Sequence, residues 1–161
     1  MSTSQNAVLR EQLVTTMRGE QSHITFEAVI KGFPFALAGK RPKGVPHTAW
    51  ELLEHMRIAQ HDILEFSRNP KYQSPKWPEG YWPEKDKPVD EKAWKASVAA
   101  FKREAKAMDG LVENLELNLY KAIEGGLGQS LLREALTLAS HNSYHLGQLE
   151  FLKKMLLSSK A

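Results

Sequence analysis

The sequence predicts an all-α protein, a four-helix bundle with a long crossover loop between helices 2 and 3. In four segments, apolar side chains recur every three or four residues, which is the period of an amphipathic helix. Loops rich in proline and glycine separate these segments, and no segment alternates as a β-strand does. The 161 residues fit one domain of common size, so we expect a single domain over residues 1–161.

The first predicted helix runs from about Gln5 to Lys31. Its apolar or small positions are Leu9, Leu13, Met17, Ile24 and Ala28. Gly19 lies in the middle, where glycine is unfavourable in a helix. The segment Gly32–Pro34 ends the helix, and a loop follows.

The second predicted helix begins at Thr48, because Glu51 follows three residues later and completes a capping box. The helix ends at Asn69, before a proline. The crossover loop Lys71–Pro88 comes next and contains Trp77, Tyr81 and Trp82. Loops of this length within a compact domain are usually functional or disordered. We expect these aromatic residues to roof a pocket and bind a cofactor, unless they only cover the core.

The last two predicted helices complete the bundle. Asp90 is the N-cap of the third, whose pattern fades near Leu117. A glycine-rich turn over residues 125–128 precedes the fourth, which runs from about Gln129 to Leu157.

The composition excludes several classes of protein. The chain has no cysteine, which excludes a disulfide framework, a thiolate metal site and a cysteine nucleophile. The net charge of +3 is spread along the chain, so we expect no nucleic-acid partner. No secretory signal is visible, and no apolar run approaches the ~20 residues that cross a bilayer. We therefore expect no membrane partner and a soluble, cytoplasmic protein.

Three of the six histidines are predicted to point into the bundle. His55 lies on the apolar stripe of helix 2, one turn from Leu52. His141 and His145 are four residues apart on helix 4, so their Cβ atoms lie about 5–6 Å apart on one face. Three protein ligands is the number that catalytic zinc sites use, with the fourth position left open for water. The sequence thus predicts a divalent metal ion held by His55, His141 and His145.

The remaining histidines receive other assignments. His61 has polar neighbours on helix 2 and is predicted to lie on the surface, while His47 lies in the loop before the helix. His23 has Glu20 and Glu27 at helical spacing and is a candidate to support a metal ligand by a hydrogen bond or to act as a general base. Its alternative is an ordinary surface contact.

Two further positions bear on the chemistry. Asp62 lies seven residues after His55 and is a candidate to orient a ligand imidazole, or else makes an ordinary surface or capping contact. Ser143 occupies the middle of the histidine pair where zincin proteases carry glutamate, which excludes their mechanism.

The sequence resembles those of the DinB-like superfamily. The resemblance rests on Leu52–Met56 and His141–Leu149, and on Pro75–Pro83 and His23–Glu27, which resemble one subgroup. It implies a four-helix bundle with a long crossover, often dimeric, with a histidine triad for zinc, nickel or a similar ion. It also implies an enzymatic activity. This would be the activity of a metal-dependent hydrolase, or of a transferase or isomerase that uses a low-molecular-weight thiol such as bacillithiol or mycothiol.

The leading hypothesis is therefore a metal-dependent enzyme. Its ion would activate water or a thiol against a small electrophilic substrate, and the thiol must be a cofactor because the chain has no cysteine. The alternative is a non-catalytic metal- or ligand-binding bundle protein. We also expect a homodimer, because Ile58 and the Lys71–Pro88 loop carry more apolar surface than one core needs.

Overall fold

A computed structural model describes residues 3–158, and within them the all-helical class is confirmed. The five α-helices are α1 (Thr3–Arg18), α2 (Phe26–Ile30), α3 (Ala49–Arg68), α4 (Glu91–Glu113) and α5 (Leu131–Ser158). The described residues contain no β-strand, only an isolated bridge between Ala122 and Ser130. None of the described helices is both long and apolar enough to cross a membrane.

The prediction of one unbroken first helix is wrong. Helix α1 ends at Arg18, and Gly19 follows with a φ of 71°, in the left-handed region that glycine adopts at helix ends. A second start signal then opens α2, where the side chain of Thr25 accepts a hydrogen bond from the amide of Ala28 at 3.3 Å. The glycine thus ended the helix rather than being tolerated within it.

The predicted start of α3 is confirmed in detail. The Thr48 hydroxyl accepts the amide of Glu51 at 3.1 Å, and the Glu51 carboxylate accepts the amide of Thr48 at 2.7 Å. The same Thr48 hydroxyl donates to the carbonyl of Asp86 at 2.6 Å. One residue therefore both caps α3 and ties the end of the Lys71–Pro88 loop to it.

Helix α4 is shorter than predicted, because it ends at Glu113 rather than near Leu117. The buried guanidinium of Arg10 donates to the carbonyls of Val112 at 2.6 Å, Asn114 at 2.9 Å and Leu117 at 2.5 Å. An arginine from α1 thus binds carbonyl groups of the last turn of α4 and of the segment that follows it, where helix carbonyls have no intrahelical partner.

The register of contacts gives the relative directions of the helices. His55 pairs with His145 and Gln60 with Asn142, so α3 and α5 run in opposite directions. By contrast, α3 and α4 run in the same direction. Their matching contacts are Glu54 with Ser97, Gln60 with the carbonyl of Phe101, and His61 with Glu104.

The core consists of two apolar clusters with a polar layer between them. The first cluster includes Phe26, Leu53, Met56, Trp94, Leu146 and Leu149. The second includes Leu13, Leu64, Met108, Val112, Ala135 and Leu138. Along α3 and α5, the buried side chains of His55, Gln60, Asn142 and His145 lie near the point where one cluster gives way to the other, and the two histidines belong to the site.

Candidate metal centre

The three predicted histidines meet in the polar layer. The Nε2 atom of His55 lies 3.2 Å from Nε2 of His145 and 3.1 Å from Nε2 of His141. His55 and His145 are buried, and His141 is half-buried. These residues form a cluster whose ligand atoms lie within 4.8 Å of one another, so the triad can hold a metal ion.

The opposite nitrogen of each ring has an oxygen partner. The Nδ1 contacts are His55 with the carbonyl of Tyr81 at 2.8 Å, His145 with Oε1 of Gln148 at 2.8 Å, and His141 with Oδ1 of Asn142 at 3.4 Å. A neutral imidazole carries one N–H group, and an oxygen acceptor draws that proton to the nitrogen it faces. The Nε2 atoms therefore present lone pairs to one another.

Such an arrangement fits a metal ion in both charge and distance. Facing lone pairs repel each other unless a cation or proton lies between them. Ligands about 2.0–2.1 Å from an ion are about 3.3–3.4 Å apart in tetrahedral geometry and about 2.8–3.0 Å apart as octahedral neighbours. The observed separations of 3.1 and 3.2 Å lie between these values, so the triad is compatible with either geometry.

Burial sets the protonation state of the triad. It lowers the pKa of His55, His141 and His145, with neighbouring histidines lowering each further, and the pKa of His145 falls to about 4. A metal ligand must be a neutral imidazole. The site therefore holds its histidines in the form that binds an ion at neutral pH.

Trp82 covers one side of the triad. Its ring stacks on His55 with centroids 3.9 Å apart and an interplanar angle of 2°, and it also stacks on His47 at 4.2 Å. Sequence reasoning placed His47 away from the chemistry, but its ring lies one aromatic layer from a ligand. Its nitrogens are outside the triad's ligand cluster, as are those of His61.

Tyr81 connects the triad to Asp62. Its carbonyl faces His55 Nδ1, and its hydroxyl donates to Oδ2 of Asp62 at 2.6 Å. Asp62 therefore does not contact the ring of His55 itself and is linked to it through Tyr81, and its expected role in orienting a ligand imidazole stays a prediction. Burial and the neighbouring carboxylate raise the pKa of the Tyr81 hydroxyl well above its usual value, so it remains a donor.

The other candidates lie farther from the triad. Trp77 is 70% exposed and packs edge-on against Tyr81 at 5.2 Å, so it does not cover the histidines. His23 is exposed in the connection between α1 and α2, so its expected helical alignment with Glu20 and Glu27 is wrong. Their expected roles in cofactor binding and catalysis stay predictions.

Gln148 is the residue that sequence reasoning missed. It lies three residues after His145, a spacing that puts two side chains on the same face of a helix. A search for acceptors at this spacing would have found it. The Tyr81 carbonyl carried no such signal, because a backbone group of a long loop has no pattern in the sequence.

One of the comparisons with known proteins identifies the family of the chain. No curated protein and no solved structure matches the chain. The sequence does match the family profile of the DinB superfamily over residues 19–149, a span that contains all three histidines. The chain therefore belongs to the DinB superfamily.

Proposed function

We propose that this protein is a metal-dependent enzyme whose divalent ion is held by His55, His141 and His145. The observation that carries the proposal is the orientation of the rings, with three Nε2 atoms facing inward and three Nδ1 atoms on oxygen acceptors. Catalytic zinc sites use three protein ligands and leave a position for water or substrate. No aspartate or glutamate oxygen joins the cluster within the described residues, which favours the enzyme over a closed, non-catalytic site.

The protein's own groups have distinct tasks in this proposal. The three histidines bind the ion, which supplies Lewis acidity and lowers the pKa of a bound water or thiol toward about 7. The carbonyl of Tyr81 and the amide of Gln148 fix two rings in the tautomer that leaves Nε2 free. Trp82 shields the face of His55 from water.

We propose a small electrophilic substrate and, as co-reactant, a low-molecular-weight thiol, since the chain has no cysteine. In that transfer the thiol releases its proton to water, and its sulfur bonds to the electrophilic carbon. The leaving group departs with the bonding electrons. Hydrolysis, with water as the nucleophile, is the second reaction that this ligand set supports. Zinc and nickel are the ions that we expect.

We also infer that the four long helices form a bundle in which residues 69–90 make a crossover. The common direction of α3 and α4 supports this, because parallel neighbours need a connection that returns along the bundle.

A homodimer is a further proposal. Leu136, Tyr144 and Phe151 are at least half exposed along one face of α5. Light scattering that reports a monomer at micromolar concentration would contradict the dimer.

Metal analysis tests the central proposal. The protein should be purified without chelators and without nickel resin, and its metal content measured by mass spectrometry. We expect one divalent ion per chain, which a chelator removes while the helical circular dichroism persists, because the apolar clusters hold the fold. A chain that binds neither zinc nor nickel when supplied with each would contradict the proposal.

A further inference from the structure

An apolar cavity of about 240 Å³ lies between the loop before α3 and the second half of α5. Its apolar lining residues are Val45, Pro46, Leu52, Phe151, Leu152 and Met155. Only two polar side chains, His47 and Gln148, line it, and no lysine, arginine, aspartate or glutamate does. A charged ligand group enclosed here would have no partner of opposite charge.

Both polar lining residues contact the triad or its cover. Gln148 accepts the hydrogen bond of His145 Nδ1 at 2.8 Å. The ring of His47 stacks on Trp82, whose ring stacks on His55. On the apolar side, Leu52 lies three residues before His55 on the same helix, so the two side chains share a face. The cavity therefore lies in the groove between α3 and α5, one residue away from His145 and, through His47 and Trp82, two aromatic contacts away from His55.

We propose that this cavity is the substrate pocket of the metal centre, and that it takes the uncharged, apolar body of a small compound with a single ring or a short branched chain. The inference rests on the proposed function and adds the class of substrate. An apolar cavity of about 150 Å³ accommodates benzene. The larger volume here leaves room for one ring with a substituent, and a charged group on that ring would find no side chain of opposite charge in the lining.

In this proposal, the side chain of His47 contacts the substrate. Its imidazole lines the cavity without belonging to the ligand cluster. An imidazole both donates and accepts hydrogen bonds, so it can pair with a polar substituent on an otherwise apolar compound. Removal of this ring should weaken ligand binding and leave metal content unchanged.

Benzyl alcohol is a suitable probe, and benzoate and benzylammonium are charged probes of nearly the same size. Binding is measured by saturation-transfer NMR on the zinc-loaded protein. The cobalt-loaded protein then reports proximity, because a paramagnetic ion in the triad accelerates the relaxation of nearby probe protons. We expect benzyl alcohol to bind better than either charged probe and to relax faster with cobalt than with zinc.

Two variants locate the binding site. Val45→Trp fills the cavity and should weaken benzyl alcohol binding by about tenfold or more. His47→Ala should weaken it with less risk to folding. Leu127→Trp is the matched control, because Leu127 is 97% exposed and does not line the cavity, and it should bind as the parent protein does.

The outcomes separate this inference from the proposed function. Absence of metal contradicts the proposed function itself. Full metal content without binding, or binding without faster relaxation in cobalt, overturns the substrate pocket and leaves the metal centre standing. Binding unaffected by both cavity variants also overturns it, and would point to the larger cavity of about 310 Å³ rimmed by Arg18, Lys102 and Asp109. If the parent protein is a dimer and the Val45→Trp variant is a monomer, then a second copy of the chain, rather than a substrate, fills the cavity.

Discussion

Two buried polar groups lie side by side in the layer between the apolar clusters, and they are satisfied in different ways. In the amide pair, the side chain of Gln60 donates to the carbonyl of Phe101 at 2.7 Å, and that of Asn142 donates to Gln60 Oε1 at 3.2 Å. In the triad, the Nδ1 atoms have oxygen partners but the Nε2 atoms face only one another.

This difference separates a structural polar group from a functional one. Buried polar atoms normally have a partner, because an unpaired one costs about 1–3 kcal/mol. Gln60 is fully buried and has both ends of its amide paired within the protein. The triad instead brings three Nε2 atoms together, an arrangement that a metal ion between them would stabilise. The amide pair should therefore matter for stability and the triad for binding.

The largest expected effect tests the triad directly. His145→Ala or His141→Ala should abolish bound metal, because two histidines remain of a three-ligand site. The helical circular dichroism should change little, since loss of one imidazole costs about 1–3 kcal/mol through a cavity or an unpaired partner. Metal content per chain and thermal unfolding with and without chelator are the two measurements.

The amide pair supplies the matched control. Gln60→Ala should lower the free energy of unfolding by about 1–3 kcal/mol, because it leaves the buried amide of Asn142 without its acceptor and removes a second hydrogen bond from the carbonyl of Phe101. Its metal content should equal that of the parent. If helicity collapses when metal is removed from the parent protein, the ion is structural and the division between the two groups is wrong.

The second prediction concerns pH. The ordinary pKa of a histidine is about 6.5, and the pKa of His145 in the fold is about 4. After metal removal, the free energy of unfolding should therefore decrease as the pH falls from about 6.5 to about 4. In this range the unfolded chain binds a proton that folded His145 does not, so acid favours unfolding. The shift corresponds to roughly 3 kcal/mol, and the lowered pKa values of His55 and His141 act in the same direction.

His145→Ala separates this effect from the titration of carboxylates in the same range. Denaturant unfolding of the metal-free parent and variant is measured at several pH values. The variant should lose less stability between neutral and acidic pH than the parent. Equal losses would show that His145 does not titrate with the burial penalty inferred for it.

A smaller effect is expected one contact away from the ion. Gln148→Ala removes the acceptor of His145 Nδ1, and loss of such an outer partner typically lowers metal affinity about 10–100-fold. Gln148→Glu keeps an acceptor and should retain most of the affinity. Competition with a coloured chelator gives the affinities, with the exposed Gln73→Ala as control. Equal affinities for both Gln148 variants and the parent would rule out a positioning role.

The sequence predicted the parts of this site that depend on helical period and not those that depend on the loop. His55, His141 and His145 follow from residues on apolar helix faces, and the capping box located the start of α3. The Tyr81 carbonyl and the stacking of Trp82 between two histidines depend on the path of the crossover loop, which no local pattern specifies.

The error in the first helix has an equally local cause. The spacing of apolar residues continues past Gly19, which predicted one helix, but the backbone of Gly19 has a positive φ that ends α1. Because the helix ends there, His23 lies in the connection to α2 and not on a helix face. Asp62 was placed on the face of His55 from its spacing, which is correct for the helix. The tyrosine that lies between the two groups comes from the loop.

The smallest expected effect is on His61, which lies on the same helix as His55 but is about 240° away around its axis. Its side chain is 42% exposed, and Nδ1 lies 3.3 Å from Oε1 of Glu104. Because its nitrogens are outside the ligand cluster, His61→Ala should leave metal content unchanged. The lost contact with Glu104 is worth about 0–1 kcal/mol, as for other pairs near the surface, so thermal unfolding should shift only slightly. If this variant loses its metal while it keeps its fold, then the ion is not held where the three Nε2 atoms meet, and the contrast between the triad and its surroundings fails.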